Sequence, residues 1–275
     1  MRFTDTQIQR LRALGCAIDE ETPFADADQR NRAFKERERQ AIKTNRALLQ
    51  AMRSEGTPVS VNALAGRISS YLRERGFLEV STPILISSAF LDRMTIDHSH
   101  SLHSQVFWVD EKTCLRPMLA PGLYDISRRL IDILGTPLGV FEIGSCFRKE
   151  SRGSQHLECF TMVNFVEWGI PEKEKHGRAE QMVADLMAYL ELDYELVQEE
   201  STVYGMSLDV VVSGHELASG AFGPHPLDPA WNISTTWYGF GMGIERAVCL
   251  MQGIDNVQRV GRSTTYHNGI GLNFK

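Results

Sequence analysis

Cysteine is scarce and scattered in this 275-residue chain: Cys16, Cys114, Cys146, Cys159 and Cys249 are odd in number, widely spaced and never in a C-x-x-C pair. That pattern argues against a disulfide framework and against a cysteine-based zinc site, and it fits a reducing cytoplasm. Long apolar runs are missing too. The N-terminus, MRFTDTQIQR, has polar residues where a signal peptide needs an apolar core, and no stretch approaches the ~20 apolar residues of a membrane span. A soluble, unprocessed cytoplasmic protein is expected. A surplus of positive charge is also lacking: 29 Lys and Arg stand against 35 Asp and Glu, net −6. The surface as a whole therefore does not suit nonspecific nucleic-acid binding, and any basic patch must be local. No Pro-, Gly- or Ser-rich linker divides the chain. What is present is an ordinary globular composition, 43% apolar and 23% charged, long enough for one large domain or one domain with a small appendage.

Thr4 or Asp5 can cap a short helix with Ile8, Leu11 and Leu14 on one face and Gly15 as its stop. From Asp28 to Arg53 the sequence is helix-forming and charged, with seven basic residues against two acidic between Arg30 and Arg46. Such a run is read first as a solvated helix face and second as a phosphate-contacting one. Ser60 opens a helix with Leu64, Ile68, Tyr71 and Leu72 inward, closed at Gly76, and Phe77 to Val80 then runs extended into Thr82-Pro83. This helix-to-strand segment is a candidate dimer seam. Ser87 to Met94 reads as a short helix. The loop from Asp97 to Ser104 carries His98, His100 and His103 alternating with serines, a pattern of mobile surface rather than of a metal site. A hairpin is expected from Val106–Val109 and Cys114–Arg116, then a helix from Pro121 through Leu134 and another from Pro171 to Leu192. Short strands follow at Tyr194–Val197, Leu208–Val212, Glu216–Phe222 and Trp237–Met242, and a helix at Ile244–Gly253. Hairpin-joined strands with grouped helices argue for an antiparallel sheet flanked by helices in an α+β fold.

Two stretches carry the chemistry. Val140–Phe147 and Phe160–Trp168 read as antiparallel strands joined by a long polar loop, with Arg148, Lys149 and Glu150 where the first strand leaves the core. A planar cation, a carboxylate and an aromatic ring at Phe160 are groups that could hold a nucleotide; the same segment is equally an edge hairpin with a solvated tip. In GFGMGIER, Gly239, Gly241 and Gly243 alternate along a strand, so one face is bare backbone against which a flat ligand can lie, with Arg246 opening the next helix. Close helix-on-sheet packing would give the same pattern.

RGFLEVSTPIL (75–85), FRKE (147–150) with Phe160 downstream, and GFGMGIER (239–246) stand in the order and approximate spacing of the three signature motifs of the class II aminoacyl-tRNA synthetases, and the chain resembles that family from about Ser60 to its C-terminus. LRPMLAPGLY (115–124), FEIGSCFRKES (141–151), HLECFTMVNF (156–165), VYG (203–205) and YHNGI (266–270) narrow the resemblance to the pyrrolysyl-tRNA synthetase family, in the form lacking a separate N-terminal tRNA-binding domain. The resemblance implies residues 1–56 as a helical appendage offering a tRNA-facing surface and 57–275 as the catalytic domain. It implies ATP and Mg²⁺, an Nε-acylated lysine as amino acid, a cognate suppressor-type tRNA and a homodimer. Arg148, Glu150 and Arg246 are the implied catalytic groups. His156, Phe160, Glu216, Ser219 and Gly243 complete the ATP site, with Glu216 and Ser219 as metal ligands. Ala120, Leu123, Tyr124, Ser127, Val166 and Trp237 are the implied apolar walls of the amino-acid pocket, Asn164 its amide partner and Tyr204 its mobile cap.

Ser127 departs from the family's larger apolar residue, which implies a wider or wetter pocket, and Gly122, Cys159 and Glu167 depart as well. Two other readings stay open: a different class II enzyme of phenylalanyl type, and a synthetase-like binding protein without catalysis. Arg148, Glu150 and Arg246 speak against the second.

Overall fold

Side-chain oxygens that accept from the first-turn N–H groups set the starts of the early helices. Thr4 accepts from Gln7 N–H while the Gln7 side chain reaches back to the Thr4 N–H, opening α1 (Asp5–Ala13) with a reciprocal cap. The Asp26 side chain accepts from Gln29 N–H to open α2 (Ala27–Glu55), and Ser60 from Ala63 N–H to open α3 (Val61–Glu74). The computed structural model describes residues 1–56, 59–149, 156–201 and 203–274. The remaining helices among these are α4 (Ser88–Asp92), α5 (Ala120–Leu134), α6 (Lys175–Leu190) and α7 (Ile244–Gln252). Phe3, Ile8 and Leu11 form a small core of their own with Phe24 and Phe34. Asn45 of α2 donates to the carbonyls of Leu14 and Gly271, which ties this helical pair to the C-terminal hairpin of β10 (Tyr266–His267) and β11 (Ile270–Gly271).

Among the described residues seven strands form one sheet: β1 (Leu78–Glu79), β4 (Leu138–Phe147), β5 (Cys159–Trp168), β9 (Trp237–Gly243), β8 (His215–Gly223), β7 (Gly205–Val212) and β6 (Glu195–Ser201), in that spatial order. The architecture is α+β, as expected. Every neighbouring pair is antiparallel except β1 and β4, which run parallel because the chain returns to the sheet only after crossing through α4 and α5. A second correction concerns β3 (Thr113–Leu115). Its ladder partner is β2 (Leu85–Ser87), and the segment 106–109 meets it only through the single bridge Trp108–Cys114. The Asp110 carboxylate accepts from Lys112 N–H at 2.8 Å and tightens that turn, which shortens the expected hairpin.

One face of the sheet packs Phe141, Val163, Phe165, Phe240 and Met242 against α3, α6 and α7. The opposite face carries Val140, Val166, Ala221 and Trp237 under α4 and α5. Strand and loop are fastened on this second face by a buried ion pair. Arg116 Nη1 donates to Glu142 Oε1 at 2.6 Å, with both side chains at most 4% exposed. Arg116 also donates to the carbonyls of Ser145 (2.8 Å) and Thr82 (3.0 Å), and Glu142 accepts from Thr82 N–H (3.1 Å) and Oγ1 (2.6 Å). The pair thus binds Thr-Pro of the segment 75–85 to β4.

Removing one partner leaves a buried charge without compensation, so Glu142→Ala is expected to lower unfolding free energy by about 3–5 kcal/mol. The double variant Glu142→Leu/Arg116→Met should recover much of that loss. Urea denaturation followed by circular dichroism measures both, and equal destabilisation by the single and double variants would contradict the assignment.

Candidate active site

A row of directly paired residues crosses the sheet beneath the site: Glu142 opposite Asn164, Asn164 opposite Gly241, Gly241 opposite Ser219, and Ser219 opposite Asp209. Directly opposed residues share a face, so this row sets two polar side chains, Asn164 and Ser219, on either side of a bare glycine. A Cβ on Gly241 would come within 3.1 Å of the Asn164 amide. Above the row lies a cavity of about 590 Å³, within the size range of small-molecule sites.

Glu216 and Ser219 are three apart on β8 and would point to opposite faces of a regular strand. The pairing steps from Val211–Glu216 to Val210–Ala218, leaving Leu217 as an extra residue, so β8 bulges. Leu217 and Ala218 both turn into the core, and Glu216 and Ser219 both reach the cavity. Ser219 Oγ donates to Asp209 Oδ1 at 2.6 Å, and Ser207 Oγ donates to the same oxygen at 2.9 Å.

Arg148 enters from the end of β4. Its Nε donates to the Pro117 carbonyl at 2.9 Å, and its guanidinium carbon stands 5.4 Å from the Phe160 ring centroid. Arg246, on the first turns of α7, donates to the Glu216 carbonyl at 2.5 Å and lies 3.7 Å from its carboxylate. Between these arginines Glu245 is buried, and both of its oxygens accept from Thr161 N–H (3.0 and 2.8 Å). Burial raises the Glu245 carboxyl above its ordinary range. This contact pins the start of α7 to β5.

The far end of the cavity is aromatic. Tyr124 meets Trp168 and Trp237 edge-on at 5.7 and 5.9 Å and stacks on Trp231 at 5.4 Å. Tyr204 meets Trp237 at 6.3 Å. The Tyr124 hydroxyl donates to Asp228 Oδ1 at 3.0 Å, and burial pushes its pKa far above the ordinary phenol value, so it stays a neutral donor. Asn164 stands between the arginine end and this aromatic end.

Of the residues singled out from sequence, Ala120, Leu123, Tyr124, Arg148, His156, Phe160, Asn164, Val166, Tyr204, Glu216, Ser219, Trp237, Gly243 and Arg246 all line this one cavity. Glu150 lies outside the described residues. Ser127 is fully buried on α5 but is absent from the cavity wall, and its hydroxyl has no hydrogen-bond partner among the described residues. One turn earlier on α5, Leu123 and Tyr124 line the cavity. The other departures also lie off the cavity: a Cβ at Gly122 would fall 2.2 Å from Thr82 Oγ1, Glu167 binds Arg178 and the Tyr238 hydroxyl, and Cys159 receives Arg262 at 3.6 Å. The rings of His98 and His103 meet at a tilt, 4.3 Å apart, and His103 meets Trp108 at 5.0 Å. Asp209, Asp228, Glu245 and Trp168 were not anticipated. Their signal is only spatial, since each earns its place from a partner distant in sequence.

Residues 43–266 match the family described as tRNA synthetases class II core domain (F). The chain belongs to the class II aminoacyl-tRNA synthetases. Its structure is similar to that of a pyrrolysyl-tRNA synthetase from Desulfitobacterium hafniense, with a TM-score of 0.92 and 42% identity over 99% of this chain and 98% of that one. A second structure from the same organism, described as PylSc, a pyrrolysyl tRNA synthetase, gives 0.90 and 41% over 99% and 95%. This synthetase therefore falls in the pyrrolysyl-tRNA synthetase family. A curated relative, lysine–tRNA ligase of Thioalkalivibrio sulfidiphilus, is 38% identical over 102 residues, 36% of this chain and 18% of that protein. The chain spans only about a fifth of the length of the curated relatives it matches. Among the described residues no helix is long and apolar enough to cross a membrane.

Because Gly241 leaves the floor bare beside Asn164, Gly241→Val should fill the space a planar ligand needs while β9 accepts the branched residue. Affinity for ATP, the nucleotide the resemblance implies, is expected by calorimetry to fall more than about tenfold with the circular dichroism spectrum unchanged. Undiminished affinity would show that no ligand approaches this backbone.

Proposed function

We propose that this synthetase is a pyrrolysine–tRNA ligase: it activates pyrrolysine, or an Nε-acylated lysine of similar shape, with ATP and transfers it to a cognate suppressor-type tRNA. The observation that carries the reading is Asn164. Its side chain sits in the cavity wall between the arginine end and an aromatic base, and its buried Oδ1 has no hydrogen-bond partner among the described residues. An orphaned buried amide is costly, and an amide in the middle of a long side chain would satisfy it. The aromatic base suits an apolar acyl group, and the carboxylate hydrogen-bonded to it, Asp228, already accepts from Tyr124, Trp237 and the His225 backbone.

ATP would lie at the arginine end. The amino-acid carboxylate attacks the α-phosphorus, a P–O bond forms, the bond to the β-phosphate oxygen breaks and pyrophosphate leaves. The tRNA ribose hydroxyl then attacks the acyl carbon, loses its proton and releases AMP. Neither step needs a covalent enzyme intermediate, so the chain contributes position and charge. Arg148, oriented through its Nε bond to Pro117, offers a guanidinium to the α-phosphate and carboxylate, a fork that lysine cannot reproduce. Phe160 and Arg246 would sandwich the adenine, Glu150 would accept from its amino group, and His156 would approach the distal phosphates. Gly243 permits close approach at the end of the strip. Glu216 and Ser219 present hard oxygen donors on one side of β8, which fits Mg²⁺; when bound, that ion would neutralise phosphate charge.

For the tRNA, Arg32, Lys35, Arg37, Arg39, Lys43 and Arg46 are exposed along α2, which supports residues 1–56 as an appendage facing the nucleic acid and 57–275 as the catalytic domain. Exposed Leu78 on β1 beside α3, with exposed Ile84 and Leu85 just after Pro83, supports a homodimer seam along the segment from Ser60 to Pro83. Cytoplasmic location follows as part of the same reading.

ATP–pyrophosphate exchange with Mg²⁺ tests the proposal. Exchange is expected with pyrrolysine or an Nε-acylated lysine and not with lysine or phenylalanine. Arg148→Ala should abolish it in folded protein. Exchange with phenylalanine alone would move the specificity to a phenylalanyl-type enzyme, and silence with every amino acid would favour a non-catalytic binding protein.

Removal of the amide in Asn164→Ala should cut the preference for acylated over unacylated substrates about tenfold or more. Unchanged relative kcat/KM values would refute its role as amide partner.

A further inference from the structure

Beneath the aromatic end of the cavity lies a buried carboxylate that the reaction itself does not use. Asp228 is 1% exposed and opens the 3-10 turn Asp228–Trp231. Its Oδ1 accepts from the Tyr124 hydroxyl at 3.0 Å; its Oδ2 accepts from Trp237 Nε1 at 2.9 Å and from the His225 backbone N–H at 2.6 Å. Three neutral donors from α5, β9 and the loop after β8 thus converge on one charge, and hydrogen bonds to an ionised acceptor are the stronger kind. Each fixes the direction of a wall residue.

The His225 side chain extends this network toward the cap. Its Nδ1 accepts from Leu227 N–H at 3.2 Å, and its Nε2 lies 3.0 Å from the Tyr204 carbonyl oxygen. A backbone N–H can only donate and a carbonyl can only accept, so Nδ1 is bare and Nε2 carries the hydrogen. The two rings also meet edge-on at 5.4 Å. Tyr204 itself sits in the turn between β6 and β7, where Ser201 Oγ accepts from the N–H groups of Val203 and Tyr204 at 3.3 and 3.2 Å. Because β6 is the last strand of the sheet, that turn has no neighbouring strand beyond it. The imidazole joins it to the fixed wall.

We propose that His225 and Asp228 are positioning residues for amino-acid selection: Asp228 fixes Tyr124 and Trp237, and His225 ties the Tyr204 backbone to the same anchor, which biases the mobile cap toward the wall. The proposal deepens the reading given above and rests on it for the identity of the amino acid. A cap held in place beforehand spares the ligand the entropy of ordering it. The benefit falls on amino-acid binding alone, because ATP is assigned to Arg148, Phe160 and Arg246 on other elements.

Two substitutions at His225 separate the tether from local packing. In His225→Asn the side-chain oxygen can still accept from Leu227 N–H, but no donor reaches Tyr204. In His225→Gln the terminal amide can restore that donor. His225→Asn is expected to raise the amino-acid KM about fivefold, the loss of roughly one hydrogen bond, with the ATP KM, kcat and melting temperature unchanged. His225→Gln should restore most of it. Independently of any substrate, hydrogen exchange in the ligand-free protein should quicken in residues 201–206 for His225→Asn and return toward wild type for His225→Gln. Asp228→Asn should quicken exchange in the same turn and raise the amino-acid KM. Equal behaviour of the Asn and Gln variants, or a turn that exchanges at the wild-type rate in all three, overturns the tether. Should wild type activate no amino acid, the functional reading fails, while the exchange experiment still decides whether the cap is tied.

Discussion

The register of β5 between β4 and β9 is the constraint on which the rest of the molecule depends. β5 is paired along all ten of its residues to β4 and along seven to β9. Strand side chains alternate, so Phe160, Met162, Asn164, Val166 and Trp168 face the cavity while Val163 and Phe165 face the helices. A slip of one residue would carry Phe165 into the site and Asn164 into the core. That alternative is disfavoured from both sides: Phe165 packs edge-on against Phe77 at 6.1 Å and stacks on Phe240 at 5.8 Å, and Gly241 is the residue that leaves room for Asn164. The core on one face thereby positions the chemistry on the other.

A second theme is the use of buried carboxylates as fasteners. Glu142 joins the segment 75–85 to β4 through Arg116, Glu245 joins α7 to β5, and Asp209 holds two serine hydroxyls between β7 and β8. Each accepts from at least one group on an element other than its own. In a low-dielectric interior such bonds are directional as well as strong, which gives the cavity rigid walls without large helices on every side. Around these fasteners the apolar packing sets the distance between layers, and the carboxylates set the angle of individual side chains.

Local patterns carried much of the fold. Thr4 and Ser60 announce their helices because a cap is decided within four residues, and the apolar, β-branched and aromatic runs Val140–Phe147 and Phe160–Trp168 announce two strands because burial on both faces imposes a continuous apolar run. The glycine strip was legible for the same reason. Three features were not. The extra residue at Leu217 is visible only as a step in pairing, since its own side chain is an ordinary core leucine. The aromatic wall is set by the rings of Tyr124, Trp168 and Trp237, which meet from separate elements, and no motif that holds one of them names the other two. Asp228 gave no hint, because an aspartate before proline in a loop reads as a turn residue until Tyr124 and Trp237 are seen to converge on it.

The bulge at Leu217 makes chain length, and not only residue identity, a functional parameter in this part of the synthetase. Substitutions there exchange one core side chain for another. Deleting a single residue would regularise the ladder between β7 and β8 and rotate Glu216 relative to Ser219 by half a strand period, turning one of them into the core. Libraries and natural drift alike should therefore tolerate changes of letter between His215 and Ser219 far better than changes of count, and a family member one residue shorter here would need a compensating irregularity on β7 to keep both oxygens over the cavity.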